Sequence, residues 1–519
     1  MRPCGPFGTA GSDRQPDTDP AAWDGEARIV SRTGLSRGRN LLFRTLTSAG
    51  VAALLALSAP AFAQGDEPGS ALPGQPESSD QPSRASDSIQ GSLGPLGDPL
   101  GLRGTLSEHG VTFSLTYIGE VLGNVSGGER RGAVYGGRLD GQLDVDLGRA
   151  AGWSGATFHT SFFQIHGPGL SSRYLGNLLT VSSIEAVPTT RLFELWLEQK
   201  LLDDKLSVRA GQLAADTEFV VSQYAALFVN STFGWPGLLA ANLPNGGPAY
   251  PLATPGIRVR WTPDETWSGM VGVFNGAPAG MRATDPQRQD RDGLEFRLSD
   301  PALIMAEVAY SYDAGTSEMA LPGTAKLGAW GHLGRFDDLR FAQTGPDAGA
   351  PLLADPASSG IARRLPGNAG GYLVVDQLLY RAPGTKDGGL GTFVRVLGAP
   401  GDRNLLSFYV DGGLTYKGLI PGRPDDTVGV SVAYAQISGA ARAFDADLAV
   451  FNPDVFQPVR KSEAVLEVTY QAQIAPGWTV QPDFQYIRRP AGGVVNPRSP
   501  TGALVKDAAV FGVRSAVKY

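Results

Sequence analysis

The last ten residues of the chain, Val510–Tyr519, read VFGVRSAVKY and alternate between two kinds of side chain. Arg514 and Lys518 fall on one face of an extended chain. The other face carries Phe511, Val513, Val517 and Tyr519. A period of two with one apolar and one charged face predicts an amphipathic β-strand that ends the chain. The edge strand of an ordinary soluble sheet would show the same alternation, so other segments have to separate the two interpretations.

The same alternation recurs from Val111 to the C-terminus, with glycine or proline breaks about every ten residues. It is clear in 191–200, 463–474 and 479–487, where apolar side chains alternate mainly with Glu, Gln and Asp. In a soluble sandwich the apolar face would point inward. In a membrane barrel it would face lipid, and the polar face would line a water-filled lumen.

The composition narrows the class of protein. Charged residues make up only 18% of the 519 residues, below the roughly 25% of soluble proteins, while 69 glycines suit many strands and tight turns. A net charge of -7 argues against a nucleic-acid binder. The only cysteine is Cys4, in a segment predicted to be removed, so the mature chain is expected to have neither disulfides nor a Cys-ligated zinc site.

The N-terminal region predicts export. Three arginines between positions 37 and 44 precede a short apolar run and the small-residue site Ala61-Phe62-Ala63. Residues 37–63 therefore read as a signal peptide that is cleaved before Gln64. The alternative is a transmembrane anchor, but the apolar run is shorter than the about 20 residues that a spanning helix needs.

The segments around the signal peptide lack a strand pattern. Residues 1–36 are expected to be an unstructured upstream extension, explained either by a start site assigned too far upstream or by an extended signal peptide. Residues 64–95 are rich in Pro, Ser and Gly and contain no aromatic residue, which predicts a disordered spacer. Residues 96–109 are amphipathic and predict a short helix at or inside the mouth of a barrel.

The strand pattern and the export signal together favour a membrane barrel. An exported chain without a further run of about 18 apolar residues either stays soluble or spans the membrane as a β-barrel. The about 410 residues after the spacer suit about 16 strands, and 18 are also compatible. We therefore predict an all-β fold, a transmembrane antiparallel up-and-down barrel over 96–519, in the bacterial outer membrane. A barrel of this size leaves an aqueous lumen. The aromatic Tyr519 resembles the terminal signal that the outer-membrane assembly machinery recognises.

Several stretches resemble the carbohydrate-selective porin family typified by the glucose porin OprB, and they occur in family order. They are LEQKLLDDKLSVRAGQLAADTEF (197–219), NSTFGWP (230–236), GVFNGAP (272–278), GYLVVDQLLYRAPG (371–384), APGDRNLLSFYVDGGLTYKGLIPGRPDDTVGVSVAYAQIS (399–438) and TVQPDFQYIRRP (479–490). The resemblance runs from about Leu96 to Tyr519. It implies a 16-stranded outer-membrane barrel that passes monosaccharides such as glucose by passive diffusion into the periplasm, without a cofactor.

The segment between Asp216 and Gly256 is the predicted constriction, because it is too long and too aromatic for a plain turn. Sugar passage requires a wet lumen and weak contacts at a narrow point. Within the segment, Asn230 and Trp235 are the chief candidates for such contacts. It also contains Phe228, Phe233, Asn242, Asn245 and Tyr250. The alternative is a surface loop that packs on itself.

Charged side chains on the inward faces of predicted strands are the other pore-lining candidates. The set near the predicted constriction is Glu194, Trp196, Glu198, Arg209, Arg258 and Arg260. Further candidates are Glu295, Arg297, Arg395, Glu463 and Glu467. One hypothesis is that opposed Arg and Glu arrays bind sugar hydroxyls across the constriction. The alternative is that these charges only pair with each other and keep the lumen hydrated.

Other function classes have weaker support. None of the four histidines falls in an HExxH pattern, and no glycine-rich run ends in Gly-Lys-Ser or Gly-Lys-Thr, so no catalytic or metal site is predicted. The alternatives to a sugar porin are a general diffusion porin, an outer-membrane barrel enzyme and a secreted glycan-binding β-protein. Sugars and outer-membrane lipids are the expected partners, and a homotrimer is a further expectation.

Overall fold

The computed structural model describes residue 93 and residues 101–312, 320–344, 351–383 and 388–519. The predicted upstream extension, the signal peptide and all of the spacer except Leu93 lie outside these residues. Among the residues described, no helix is both long enough and apolar enough to cross a bilayer.

Sixteen antiparallel strands, each paired with its neighbours in sequence, close into a barrel because β16 pairs with β1. The first eight strands are β1 (Val111–Gly128), β2 (Gly132–Asp146), β3 (Ala156–His166), β4 (Thr189–Leu201), β5 (Leu206–Leu213), β6 (Thr254–Trp261), β7 (Trp267–Asn275) and β8 (Ala302–Tyr312). The others are β9 (Gly323–Ala342), β10 (Ala362–Arg381), β11 (Gly389–Gly398), β12 (Leu406–Lys417), β13 (Thr427–Ile437), β14 (Ser462–Ala475), β15 (Trp478–Arg488) and β16 (Lys506–Lys518). The prediction of a 16-stranded up-and-down barrel is confirmed, and the terminal strand is the one that completes it.

The two faces of the wall differ as the alternation predicted. On the outer face Val271 and Val273 of β7 are 47% and 44% exposed. On the inner face Glu467 of β14 and Gln485 of β15 are fully buried. An apolar face that points away from the interior is stable in lipid and unfavourable in water. The barrel is therefore a membrane barrel and not a soluble sandwich.

The connections differ in length between the two ends of the barrel. Turns such as 202–205 and 476–477 are short, whereas 167–188, 214–253 and 438–461, all at the other end, are long. In barrels of this type the short turns face the periplasm and the long loops face the outside.

Among the described residues, five α-helices lie in the segments outside the strands. They are α1 (Leu102–Glu108), α2 (Leu147–Ala151), α3 (Gly237–Asn242), α4 (Pro286–Gln289) and α5 (Gly439–Phe451). Helix α1 lies within the segment where a short helix was predicted, and Arg103 ties it to β1 by donating to the carbonyl of Phe113 at 3.1 Å. Helix α5 is capped by Ser438, the residue before its first turn, whose Oγ accepts the amide of Ala441 at 3.3 Å.

Candidate pore constriction

The connection between β5 and β6, residues 214–253, folds into the lumen, and we call it the constriction loop. Its backbone is tied to inward side chains of distant strands. Glu467 of β14 accepts two loop N–H groups at 2.6 and 3.0 Å, and Glu307 of β8 accepts the amide of Val220 at 3.0 Å. Lys326 of β9 donates to a loop carbonyl at 2.8 Å. The loop thus crosses the lumen, which confirms the predicted lumen-folded loop.

The constriction loop has its own apolar core. The rings of Phe228 and Phe233 lie 5.0 Å apart, and Phe233 meets Phe393 of β11 edge-on at 6.2 Å. Leu238 and Leu239 of α3 are fully buried beside them. The aromatic side chains that made the segment a candidate are therefore mostly packing residues, and only part of the loop surface is left to face the pore.

A second loop also turns inward, and sequence reasoning missed it. Residues 167–188 between β3 and β4, the second inner loop, are held by Glu463 of β14, which accepts the amides of Leu178 and Leu179 at 2.8 and 2.7 Å. Ser182 of this loop also donates to Glu120 of β1. In the sequence, only the length of this connection could have indicated that the loop folds into the lumen. Two loops therefore narrow the lumen.

Four of the predicted charges form one buried network beside the constriction loop. Arg209 of β5 lies 2.7 Å from Glu198 of β4 and 2.6 Å from Glu218 in the loop. Arg258 of β6 contacts the same two carboxylates at 2.9 and 2.6 Å, and Arg260 reaches Glu218 at 3.2 Å. Neighbouring strands supply these charges in register, so they lie side by side and not opposite each other across the pore. These four charges show the mutual pairing that the alternative described, and the binding of sugar hydroxyls by opposed arrays stays a prediction.

Burial separates the network members that can reach the lumen from those that cannot. The side chain of Arg260 is 18% exposed, whereas those of Arg209 and Arg258 are 7% and 1% exposed. Trp235 is half-buried, and its Nε1 donates to the carbonyl of Gly246 at 2.9 Å, which fixes the orientation of the ring. Arg260 and Trp235 are therefore predicted residues beside the constriction that stay partly exposed.

Glu194 and Trp196 are buried at the root of the constriction loop. Glu194 accepts the amide of Ala214 at 3.2 Å, where the loop leaves β5. Trp196 is stacked on His159 of β3 with ring centroids 4.6 Å apart, and the guanidinium of Arg209 lies 3.7 Å from its ring centre. Because both neighbours occupy ring faces, Trp196 has no face left for a sugar ring.

Asn230, Arg395, Glu463 and Glu467 anchor the loops and are themselves fully buried. Arg395 pairs with Asp411 at 2.5 Å and donates to loop carbonyls at 2.9–3.3 Å. The Asn230 amide donates to the second inner loop at 3.2 Å and to β15 at 2.9 Å. Direct pore lining was expected of these residues. The structure instead uses them to satisfy loop backbone groups, which need a partner when they are removed from water.

The prediction that Glu295 and Arg297 face the lumen from a strand is wrong. Both lie in the connection 276–301 between β7 and β8, outside any strand. Glu295 is exposed, and Arg297 pairs with Asp300 at 2.8 Å. Their alternation with apolar residues resembled a strand, but the segment lacks the two paired neighbours that a barrel strand requires.

Several inward charges were not predicted as site residues. Arg138 of β2 pairs with Asp140 at 2.6 Å, and its guanidinium lies 4.8 Å from the ring of Tyr250 in the constriction loop. Arg191 of β4 donates to the carbonyls of Pro251 and Asp290 at 2.8 and 2.6 Å and so ties two connections to the wall. Arg138 and Arg191 occupy inward positions on strands whose side chains alternate between the two faces. The period of two in the sequence could therefore have identified them as inward charges.

The network sets the charge of Glu218. Burial by itself would raise the pKa of this carboxyl, but the guanidinium groups of Arg209, Arg258 and Arg260 outweigh burial and hold the pKa below its usual value. Glu218 is therefore ionised at neutral pH and can keep the first turn of the constriction loop bound to the wall. Burial also raises the pKa of Tyr250 to about 12, so its hydroxyl stays neutral and donates to the Ile184 carbonyl at 2.9 Å.

A closed sixteen-stranded barrel with an apolar outer surface and a lumen narrowed by two inward loops is the architecture of an outer-membrane porin, which is a channel. The chain belongs to the OprB family of carbohydrate-selective porins, because the model of that family matches residues 130–519. This confirms the resemblance that the sequence motifs indicated.

Individual relatives cover most of the chain. Porin B of Pseudomonas aeruginosa is 24% identical over 436 residues, which cover 80% of this chain and 91% of that protein. Putative porin QuiX of Acinetobacter baylyi is 22% identical over 419 residues, which cover 76% and 88%. The high-pH structure of Pseudomonas putida OprB superposes with a TM-score of 0.71 at 23% identity and covers 83% of this chain and 99% of that one. That structural likeness shows a shared fold.

Proposed function

We propose that the chain is a passive channel through which monosaccharides such as glucose diffuse across the outer membrane into the periplasm. The observation that carries the proposal is the double-loop constriction. A sixteen-stranded barrel would otherwise leave a wide aqueous lumen, and here two loops are fixed to the wall by buried charged side chains. Membership of a carbohydrate-selective family supports sugars as the class of solute.

The chemistry of the constriction suits a small neutral sugar. Passage requires contacts strong enough to replace part of the hydration of the sugar and weak enough to release it. Arg260 offers N–H donors to hydroxyl groups, and Trp235 offers an apolar ring surface of fixed orientation. In this proposal Glu198, Arg209 and Arg258 act behind that surface, where their ion pairs hold the aperture at a constant size.

Liposome swelling with sugars of graded size tests the proposal. Purified protein in vesicles should pass pentoses and hexoses quickly and disaccharides much more slowly. The Arg209→Ala, Arg258→Ala and Trp235→Ala variants should each change hexose flux, while Glu295→Ala, at an exposed loop position, serves as a matched control. Unchanged sugar flux in all three variants would contradict the proposed role of these residues. Rates that fall smoothly with solute size, without a step between one ring and two, would indicate a general diffusion porin.

We also propose that the outer-membrane assembly machinery recognises the C-terminal strand. The closing position of β16 next to β1 supports this, together with the terminal Tyr519, whose amide donates to the carbonyl of Leu115 at 2.8 Å. Deletion of Tyr519 should lower the amount of folded, heat-modifiable barrel in outer-membrane fractions without changing synthesis. A homotrimer is a separate expectation, and native mass spectrometry of the detergent-solubilised protein tests it.

A further inference from the structure

A row of four side chains runs along the inner wall from β2 to β5. His159 faces Asp144 and Trp196 directly across the strands, and Trp196 faces Gly211. The Nδ1 of His159 lies 2.7 Å from an Asp144 carboxylate oxygen, and the imidazole and indole planes differ by 13°. Directly opposed residues on one face of a sheet are close enough to touch, so strand pairing alone brings these side chains together.

The row ends on Arg209, because the residue directly opposite Trp196 is a glycine. Gly211 has a φ of 146°, and a Cβ there would lie 2.7 Å from the Cα of Trp196. The absence of a side chain leaves the indole face open, and the guanidinium of Arg209 covers it with its central carbon 3.7 Å from the ring centre. A planar guanidinium on an aromatic face is held in both position and tilt.

Arg209 is also the link between the wall and the constriction loop. One of its Nη atoms lies 2.7 Å from Glu198 on β4, and the other lies 2.6 Å from Glu218. Glu218 stands two residues before Val220, whose amide is bound by Glu307 on β8. A change in the tilt of the guanidinium would therefore be passed directly to the start of the loop that narrows the pore.

We propose that Asp144, His159 and Trp196 are positioning residues for Arg209 and that through it they set the size discrimination of the pore. This inference rests on the proposed sugar-channel function. His159 does not touch the solute in this proposal, since its side chain is only 4% exposed and its ring is stacked on Trp196. Its contribution is the flat surface that backs the indole, and the contribution of Asp144 is the hydrogen bond that fixes the imidazole ring.

The test measures the ratio of disaccharide to monosaccharide swelling rates, a readout that a simple loss of folded channels does not change. His159→Ala should raise the ratio about two- to tenfold, the range that corresponds to the loss of one aromatic pair. His159→Phe, which keeps a flat ring, should restore most of the wild-type ratio. Asp144→Asn keeps the shape of the carboxylate and should shift the ratio less, in the same direction. That variant keeps the test decisive if His159→Ala fails to fold.

A double-mutant cycle separates positioning through Arg209 from a general effect on the barrel. In an Arg209→Ala background, His159→Ala should change the ratio little further, because the group that it positions is gone. An equal change in both backgrounds, or an unchanged ratio in His159→Ala and Asp144→Asn, would overturn the inference. A wild-type channel that does not discriminate between one-ring and two-ring sugars would instead overturn the proposed function, so the two failures are distinguishable.

Discussion

Replacement of Glu463 by alanine should release the second inner loop from the wall. The Glu463 carboxylate is fully buried and accepts three amides, those of Leu178, Leu179 and Ala491, at 2.8, 2.7 and 2.6 Å. Each buried N–H group left without an acceptor costs about 1–3 kcal/mol, so the two amides of the second inner loop together cost about 2–6 kcal/mol before the site relaxes. Water that enters the vacated space would offset part of this cost. Even about 2 kcal/mol changes the population of the bound loop roughly 30-fold.

Single-channel conductance in a planar bilayer measures this release. Glu463→Ala should give a larger and noisier conductance than the wild type, because a loop that leaves the wall widens and fluctuates in the lumen. Glu463→Gln keeps the length and one carbonyl acceptor, so an intermediate conductance is expected. Glu295→Ala is the matched control at an exposed position and should behave as the wild type. A heat-modifiable, correctly folded Glu463→Ala barrel with wild-type conductance would refute the assignment of Glu463 as the anchor of this loop.

Three further predictions concern the loop anchor on β11, the lipid-facing wall and the charge of Glu218. Arg395→Lys keeps the charge but loses the fork that spans Asp411 and the loop carbonyls, so the barrel should lose about 2–4 kcal/mol of unfolding free energy in urea titrations. Val271→Arg places a charge on the outer face and should cost about 2–4 kcal/mol in the same assay, whereas Val271→Ile should be neutral. A carboxyl whose folded pKa is lowered stabilises the fold above its ordinary pKa and loses that contribution as pH falls through the lowered value. The ratio of disaccharide to monosaccharide swelling rates should therefore be constant from pH 7 to about pH 5 and rise only in stronger acid. Glu218→Gln should raise this ratio already at pH 7. A rise of the wild-type ratio above pH 5 would contradict the role of Glu218.

The faces of the strands were predictable because the side-chain period of a strand is a local property. Glu194, Trp196 and Glu198 were placed on one inward face from their spacing alone, and the structure confirms that face. The same argument placed Arg258 and Arg260 inward between apolar neighbours, and the structure confirms it. The lumen-folded loop was predictable as well, since its length and apolar content do not suit a plain turn.

The roles of the inward charges were not predictable, because each role depends on a partner that is distant in the sequence. Glu463 was proposed as a pore-lining charge, yet it binds amides of a loop about 285 residues earlier in the chain. Trp196 was predicted to line the pore, yet His159 and Arg209 cover its faces. Glu295 shows the opposite error, in which a correct local alternation does not become a strand for lack of paired neighbours.

The sequence by itself predicts that this chain is exported. It also determined that the strands are apolar on one side and polar on the other, and that the chain is long enough for about sixteen of them. Only the tertiary structure decided what the polar side does. When β16 closes on β1, the register of every strand pair is set, and with it the neighbours of each inward side chain. Alternation encodes the direction in which a side chain points, whereas closure and loop folding bring its partners to it. For that reason the terminal strand VFGVRSAVKY is typical of a barrel but does not predict the constriction inside it.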